Sequence, residues 1–499
     1  MRDVLLLTGT GLLSQGVGFV YRILLTRVSG AEIMGLYQLI LPVYSVLLSL
    51  TAVGLYTGVS NLSARYQGLG NRRAIHQVRG QAVRLFLGLA ALPCVLLILL
   101  SDGVSVCLLN DARTRLGLML LVPCLLLTGV ENLQKHFFYG TGRVLPAAVT
   151  ELLEQLLRSA LVLALLWRLR PATAEGAVGT IVLGMALCEI CAALTQTVLF
   201  RLSLGAPRRL EGAALPSKVL RGELLSIALP LGAAALLGNL ISSANAVLLP
   251  RLLVRGGMTQ SEAVSAYGVT FGMTFPMLML PTAFLSALGL VLTPKLFRAA
   301  ALGRRRTVRT LIQRAVGASN CILIPALALL GTLGPGIGEA LYREPSVGDQ
   351  MPLLAAGLLF TCWSSLLSCV LTGLDRQGTA ARIALVCDGL QLLATCLTVE
   401  PFGLRGYGWS FTLCALLGAG LSWRAVVRET GLGLPVFRWL AGPALAAALG
   451  ALCGRLMETA LLRGGLTGLW ASGGGLVFGG LVCVAGLQAL GLLGRGEAQ

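Results

Sequence analysis

Glu151, Glu154 and Arg158 lie in one otherwise apolar stretch, residues 145–167. Spacings of three, four and seven put all three on one face of a helix. A carboxylate and a guanidinium at i, i+4 offset much of each other's desolvation cost. Such a set is either a structural pair or the wall of a polar cavity whose acids couple transport to an ion. Arg22 stands in the apolar run 4–26, some twelve residues or more from either basic end. It either faces a lumen and binds an anion or snorkels outward beside Arg27. Arg27 and its repeat-related partner Arg251 lie near an apolar boundary, as interfacial anchors or as anion ligands. Glu131, Glu189 and Asp388 read as lone carboxylates in three further apolar runs. Ionisable groups in such runs are costly and functional by default, here as protonated acids or cation ligands.

Enzyme chemistry finds little material. The two histidines are His76, in a basic loop, and His136, near the end of an apolar run. There is no Walker A sequence, nucleotide-binding glycine loop or HExxH. The longest loops are short and basic, unlike those of a lipid-linked sugar transferase. Cys188 and Cys191 form a CxxC without a second pair, and nearly all of the 13 cysteines lie in apolar runs, where they act as small hydrophobes. No catalytic residue, metal set or cofactor is expected. Any driving force would come from the membrane potential, Na+ or H+.

The elements that must position these charges are membrane helices. Hydrophobic residues make up 56% of the 499 and charged ones 12%, about half the share of a soluble domain. Apolar runs of roughly 20 residues recur throughout, enough to cross a bilayer as helices. Fourteen spans are predicted, centred on 4–26, 36–58, 83–101, 116–138, 145–167, 176–200, 224–248, 267–293, 311–333, 351–372, 380–399, 407–423, 436–454 and 468–492.

The net charge of +18 suggests a polyanion partner until it is placed against the membrane. With both termini cytoplasmic, 26 of the 39 Lys and Arg fall on the cytoplasmic side and 11 on the other, leaving Arg22 and Arg158 within spans. This positive-inside bias makes the excess a topology signal and a contact with anionic lipids, and excludes nucleic acid as the partner.

The chain also resembles itself, its first half aligning in order with its second. Leu24-Leu25-Thr26-Arg27 aligns with Leu248-Leu249-Pro250-Arg251, Leu69-Gly70-Asn71-Arg72-Arg73 with Leu302-Gly303-Arg304-Arg305-Arg306, and Gly140 and Arg143 with Gly373 and Arg376. The offset widens after span seven, where a slightly longer loop intervenes. Six helices per repeat give parallel lobes, which favour transport with a site at the repeat interface. The expected organisation is an N-terminal lobe 1–205, a basic cytoplasmic linker 206–223, a second lobe 224–430 and two further helices in 431–499. Gly11, Gly16, Gly18, Pro276 and Pro281 are expected to bend their helices. Tyr21, Tyr37, Tyr44 and Trp363 read as belt anchors or sugar contacts.

The stretch Gly18-Phe19-Val20-Tyr21-Arg22-Ile23-Leu24-Leu25-Thr26-Arg27, then Gly30-Ala31-Glu32 and Gly35-Leu36-Tyr37-Gln38, resembles the N-terminal signature of the stage V sporulation protein B-like group. That group belongs to the polysaccharide transporter family of the multidrug/oligosaccharidyl-lipid/polysaccharide exporter superfamily. Leu41-Pro42-Val43-Tyr44-Ser45, Leu153-Glu154-Gln155-Leu156-Leu157-Arg158 and Leu292-Thr293-Pro294 extend the likeness over most of residues 1–430. It implies a MATE-like fold and a flippase for undecaprenyl-pyrophosphate-linked saccharides, with a peptidoglycan precursor of sporulation as cargo and cell-wall synthesis enzymes as partners. It also implies that Arg22 faces the lumen as a pyrophosphate ligand, and Arg158 is expected to engage the phosphate with it. Leu24 and Tyr56 stand where the group has prolines, and span two lacks the second arginine of lipid II flippases. A cation-coupled exporter of organic cations on the same fold is the competing reading.

Overall fold

The computed structural model describes residues 2–204, 212–433, 437–466 and 468–492, and every regular element among them is helical. Eleven helices are long and apolar enough to cross a membrane. Two of these each contain two spans. Gly30 (φ 82°) breaks Arg2–Leu48, and Gly403 (φ 59°) breaks Gln377–Thr430. Both glycines hold the left-handed conformation that L side chains resist. Val144–Leu169, interrupted by Glu151, Glu154 and Arg158, completes the fourteen spans of a multi-pass membrane protein.

Spans one and two therefore meet at Gly30. The helix of span one runs unbroken through Gly11, Gly16 and Gly18, against the expectation of a bend there. At Gly18 the missing side chain has another use, since a Cβ would sit 3.1 Å from Gln155 Nε2 of span five. Span two has no proline at Tyr56. It contains Pro42 and a π-helical turn, Ser49–Val53, a device that kinks helices. Around Pro276 and Pro281, span eight breaks into a π turn (Gly268–Thr274), a short helix (Phe275–Met279) and a 3₁₀ turn (Leu280–Thr282) before Ala283–Ala301.

Left-handed residues record the internal repeat. Gly70 and Gly303, Asn110 and Arg343, Gly142 and Asp375, and Arg170 and Gly403 all have φ between 42° and 70°. The members of every pair stand at the offset that carries Gly140 onto Gly373. A helix contact repeats as well. A Cβ on Gly140 would meet the Ser60 carbonyl oxygen at 2.2 Å, and one on Gly373 would meet the Thr293 carbonyl oxygen at 3.1 Å. Ser60 and Thr293 are themselves repeat-related by that offset. Small residues let backbones approach this closely in a membrane.

The chain packs as two compact units, residues 1–251 with 260–268, and residues 252–259 with 269–499. Most of span seven thus lies with spans one to six, although the sequence repeat begins the second lobe at 224. The reason is close packing: a Cβ on Gly54 would lie 2.1 Å from the Ala228 carbonyl oxygen. Nearby, Glu223 accepts hydrogen bonds from Arg65 (3.1 Å) and the Tyr66 hydroxyl (2.7 Å).

Candidate functional site

Three consecutive spans of the first unit bring five charged side chains together. Span four (Arg115–Gly140) contributes Glu131 and Lys135 one turn apart. Span five contributes Glu154 and Arg158, again at i, i+4, and span six (Ala174–Leu204) contributes Glu189. Lys135 Nζ lies 2.8 Å from Glu131 Oε1 and 2.7 Å from Glu154 Oε2. Arg158 Nη2 donates to Glu154 Oε1 and, at 2.8 Å, to Glu189 Oε1. Side-chain exposure is 1% at Glu131, 2% at Glu189 and 9% at Lys135, so water screens little of this.

Oxygens of the three carboxylates lie within 4.8 Å of one another. At an effective dielectric of about 20, like charges ~4 Å apart repel by about 4 kcal/mol. Lys135 and Arg158 supply the compensation. Three acids against two cations leave one negative charge uncompensated when all are ionised. Glu189 Oε2 and Arg158 Nε are buried without a hydrogen-bond partner, which marks where a further charged or polar group could be received.

Tyr21 and Tyr37 border this network. Tyr21 is buried, and the Tyr37 hydroxyl contacts Met185 Sδ at 3.3 Å. Both hydroxyls lie within the electrostatic reach of Arg158 and of Arg22. These tyrosines therefore belong to an internal surface rather than to an interfacial belt. Arg22 is half-buried and forms no ion pair or hydrogen bond among the described residues.

Among its described residues, the second lobe holds no such network. The repeat places Ser364, Ser368, Cys387, Gln391 and Ser422 at the positions equivalent to Glu131, Lys135, Glu154, Arg158 and Glu189. The repeated helix packing is thus compatible with neutral side chains at all five places. Buried charges that a fold can do without are candidates for function.

Residues 1–299 match the model of the family described as "Polysaccharide biosynthesis protein". The chain belongs to this family. Stage V sporulation protein B of Bacillus subtilis (strain 168) is 21% identical over 390 residues, covering 77% of this chain and 75% of that protein. Among solved structures, an inward closed conformation of the lipid II flippase MurJ aligns with a TM-score of 0.73 at 11% identity, over 97% of this chain and 98% of that one. An inward-facing multidrug resistance MATE family transporter of the MOP superfamily aligns at 0.65 and 16% identity, over 84% and 96%. A MOP superfamily transporter from Pyrococcus furiosus aligns at 0.63 and 16%, over 86% and 96%. The family member described here therefore has the MOP fold: two parallel six-helix repeats followed by two helices.

Within this polysaccharide biosynthesis fold, the candidate residues separate. Glu154 and Arg158 pair as their spacing predicts, but Glu151 is exposed, without an ion pair or hydrogen bond among the described residues, and does not join them. Glu131 and Glu189 are not lone carboxylates: Lys135 of its own helix pairs with Glu131, and Arg158 of span five pairs with Glu189. Asp388 is half-buried in the second unit, without a hydrogen bond or ion pair among the described residues. Arg27 is exposed, and Arg251 donates to the Cys107 carbonyl. Lys135 is the residue that sequence reasoning missed, counted as a cytoplasmic loop charge. Its i, i+4 relation to Glu131 was the available signal.

Proposed function

We propose that this chain is a flippase that moves polyprenyl-pyrophosphate-linked saccharides across the cytoplasmic membrane by alternating access. The observation that carries the reading is a buried five-charge network present in one repeat and neutral in the other, with an unpaired arginine beside it. Arg22 offers the pyrophosphate a permanently charged donor fork with no competing partner. Tyr21 and Tyr37 add hydroxyls next to it. Arg158, already shared by two carboxylates, acts as a positioning residue that sets the local field. The uncompensated carboxylate takes a proton or a monovalent cation at Glu189, so headgroup affinity and a transmembrane gradient act on the same helices. A ligand shifts the two-state equilibrium only through its different affinity for the two states.

Both termini are cytoplasmic in this account, because positive loops stay inside. The cargo is a peptidoglycan or polysaccharide precursor; the likeness to a sporulation protein supports the former. Cell-wall synthesis enzymes that make or use that precursor would be the partners. The second reading, cation-coupled export of organic cations, draws support from the MATE likeness and the odd negative charge, and Arg22 opposes it. Purified protein in vesicles tests both. Headgroup translocation of a fluorescent polyprenyl-pyrophosphate saccharide is expected. Gradient-driven efflux of an organic cation with no headgroup movement would reverse the assignment.

A further inference from the structure

Three of the six tryptophans meet at one cavity of about 180 Å³ in the second unit. Trp363 of span ten (Met351–Gly373), Trp423 of span twelve (404–430) and Trp439 at the start of span thirteen (437–463) line it, with Val316 and Asn320 of span nine (Arg305–Tyr342) and Gly420. Trp423 and Trp439 meet edge to face at 5.7 Å. The lining, apolar apart from Asn320 and the indole N–H groups, suits part of a hydrocarbon chain rather than a saccharide.

The residues that shape the opening differ between the repeats. In the first repeat, Gly420 corresponds to Leu187, Asn320 to Leu87, Trp363 to Val130 and Trp423 to Ile190. A Cβ on Gly420 would meet nothing within 4 Å, so the glycine leaves real space rather than permitting a helix contact. Asn320 is 1% exposed; its Nδ2 donates to the Trp439 carbonyl, but its Oδ1 has no partner, and Trp363 Nε1 is likewise buried and unsatisfied.

One end of the cavity is basic. Arg424 lies one helical turn beyond Gly420 on the same face, and Arg438 adjoins Trp439. Both are exposed and unpaired among the described residues, whereas the nearby acid Glu429 is engaged by Arg376 at 2.9 Å. By the positive-inside bias this is the cytoplasmic end. We infer that the cavity is a binding site for an anionic phospholipid of the inner leaflet, with one acyl chain among the tryptophans and the phosphate at Arg424 and Arg438. The assignment stands apart from the cargo reading, since it concerns a resident bilayer lipid and uses none of the residues of the charged network.

Brominated acyl chains quench tryptophan on contact, which supplies the test. Trp167, Trp409 and Trp470 are 71%, 58% and 75% exposed and would report any lipid, so all three are replaced by Phe. The remaining fluorescence is read in phosphatidylcholine vesicles holding a minor fraction of brominated phosphatidylglycerol or, separately, brominated phosphatidylcholine. Phosphatidylglycerol is expected to quench preferentially. The preference should fall about fivefold for each of Arg424→Gln and Arg438→Gln, the equivalent of about 1 kcal/mol per charge. Gly420→Leu, which restores the residue of the other repeat, should abolish it without altering the helical spectrum. Equal quenching by both lipids, or quenching unchanged in Gly420→Leu, would overturn the site. So would displacement by an equal amount of polyprenyl phosphate, which would make the cavity a seat for the cargo tail.

Discussion

Lys135 is held between two carboxylates, Glu131 on its own helix and Glu154 on the next, at 2.8 and 2.7 Å. Removing this one cation leaves three buried acids facing Arg158 alone. Truncating one partner of a buried ion pair costs about 3–5 kcal/mol. Lys135→Met is therefore expected to lower the unfolding midpoint in detergent steeply, and adding Glu154→Gln should recover part of the loss. An unchanged midpoint in the single variant would refute the network as drawn.

Neutralising the whole set should have the opposite signature. Glu131→Gln, Lys135→Met, Glu154→Gln, Arg158→Gln and Glu189→Gln together leave no uncompensated charge, and the second lobe packs with neutral residues at the same places. Buried ionic sets are often replaced at no net cost in stability. The fivefold variant is predicted to fold, by size-exclusion profile and unfolding midpoint, while translocation in vesicles falls to background. Retained translocation would assign the charges to structure.

Gly129 separates two kinds of glycine in this glycine-rich chain. A Cβ there would lie 2.1 Å from Phe86 Cζ, inside a fully buried ring, whereas one on Gly88 would meet nothing within 4 Å. Overpacking costs about 1–3 kcal/mol, while Gly→Ala in an open helix position gains about 0.5–1 kcal/mol. Gly129→Ala should destabilise and Gly88→Ala should not, in parallel unfolding curves.

Asp111 gives a pH dependence at the loop before span four. Burial raises its carboxyl, but the side-chain and backbone N–H groups of Arg113 outweigh this and hold it below the ordinary carboxylate range. Arg113 Nη2 lies 2.7 Å from Asp111 Oδ2 and its Nη1 lies 2.6 Å from Glu32. A depressed folded value contributes stability that is present above the unfolded value near 3.9 and is lost as pH falls through the folded one. Asp111→Asn should therefore cost about 1–3 kcal/mol of stability at neutral pH, read as a lower midpoint, and flatten the fall of that midpoint below pH 4. An identical acid limb in the variant would contradict this.

The helices were legible in the sequence because membrane spanning demands long apolar runs. The repeat was legible because left-handed turns such as Gly70 and Gly303 keep their sequence. Glu154 and Arg158 were legible as a pair because i, i+4 is a local relation. What linked them to Lys135 and Glu189 was not, since those contacts join residues 19 and 31 positions apart on neighbouring helices. Glu151 shows the limit of face arguments. It shares the face of Glu154 and Arg158, yet it is exposed and joins neither. The bend at Gly30 escaped because glycines are common in these spans, and only its left-handed φ distinguishes it.

Arg22 decides the central claim. Purified protein is reconstituted in vesicles with a fluorescent polyprenyl-pyrophosphate saccharide, and headgroup accessibility is followed for the wild type, Arg22→Lys and Arg22→Ala. The account predicts headgroup movement in the wild type, a reduced rate with lysine, which keeps the charge but not the fork, and loss with alanine at an unchanged unfolding midpoint. Full translocation by Arg22→Ala would contradict it.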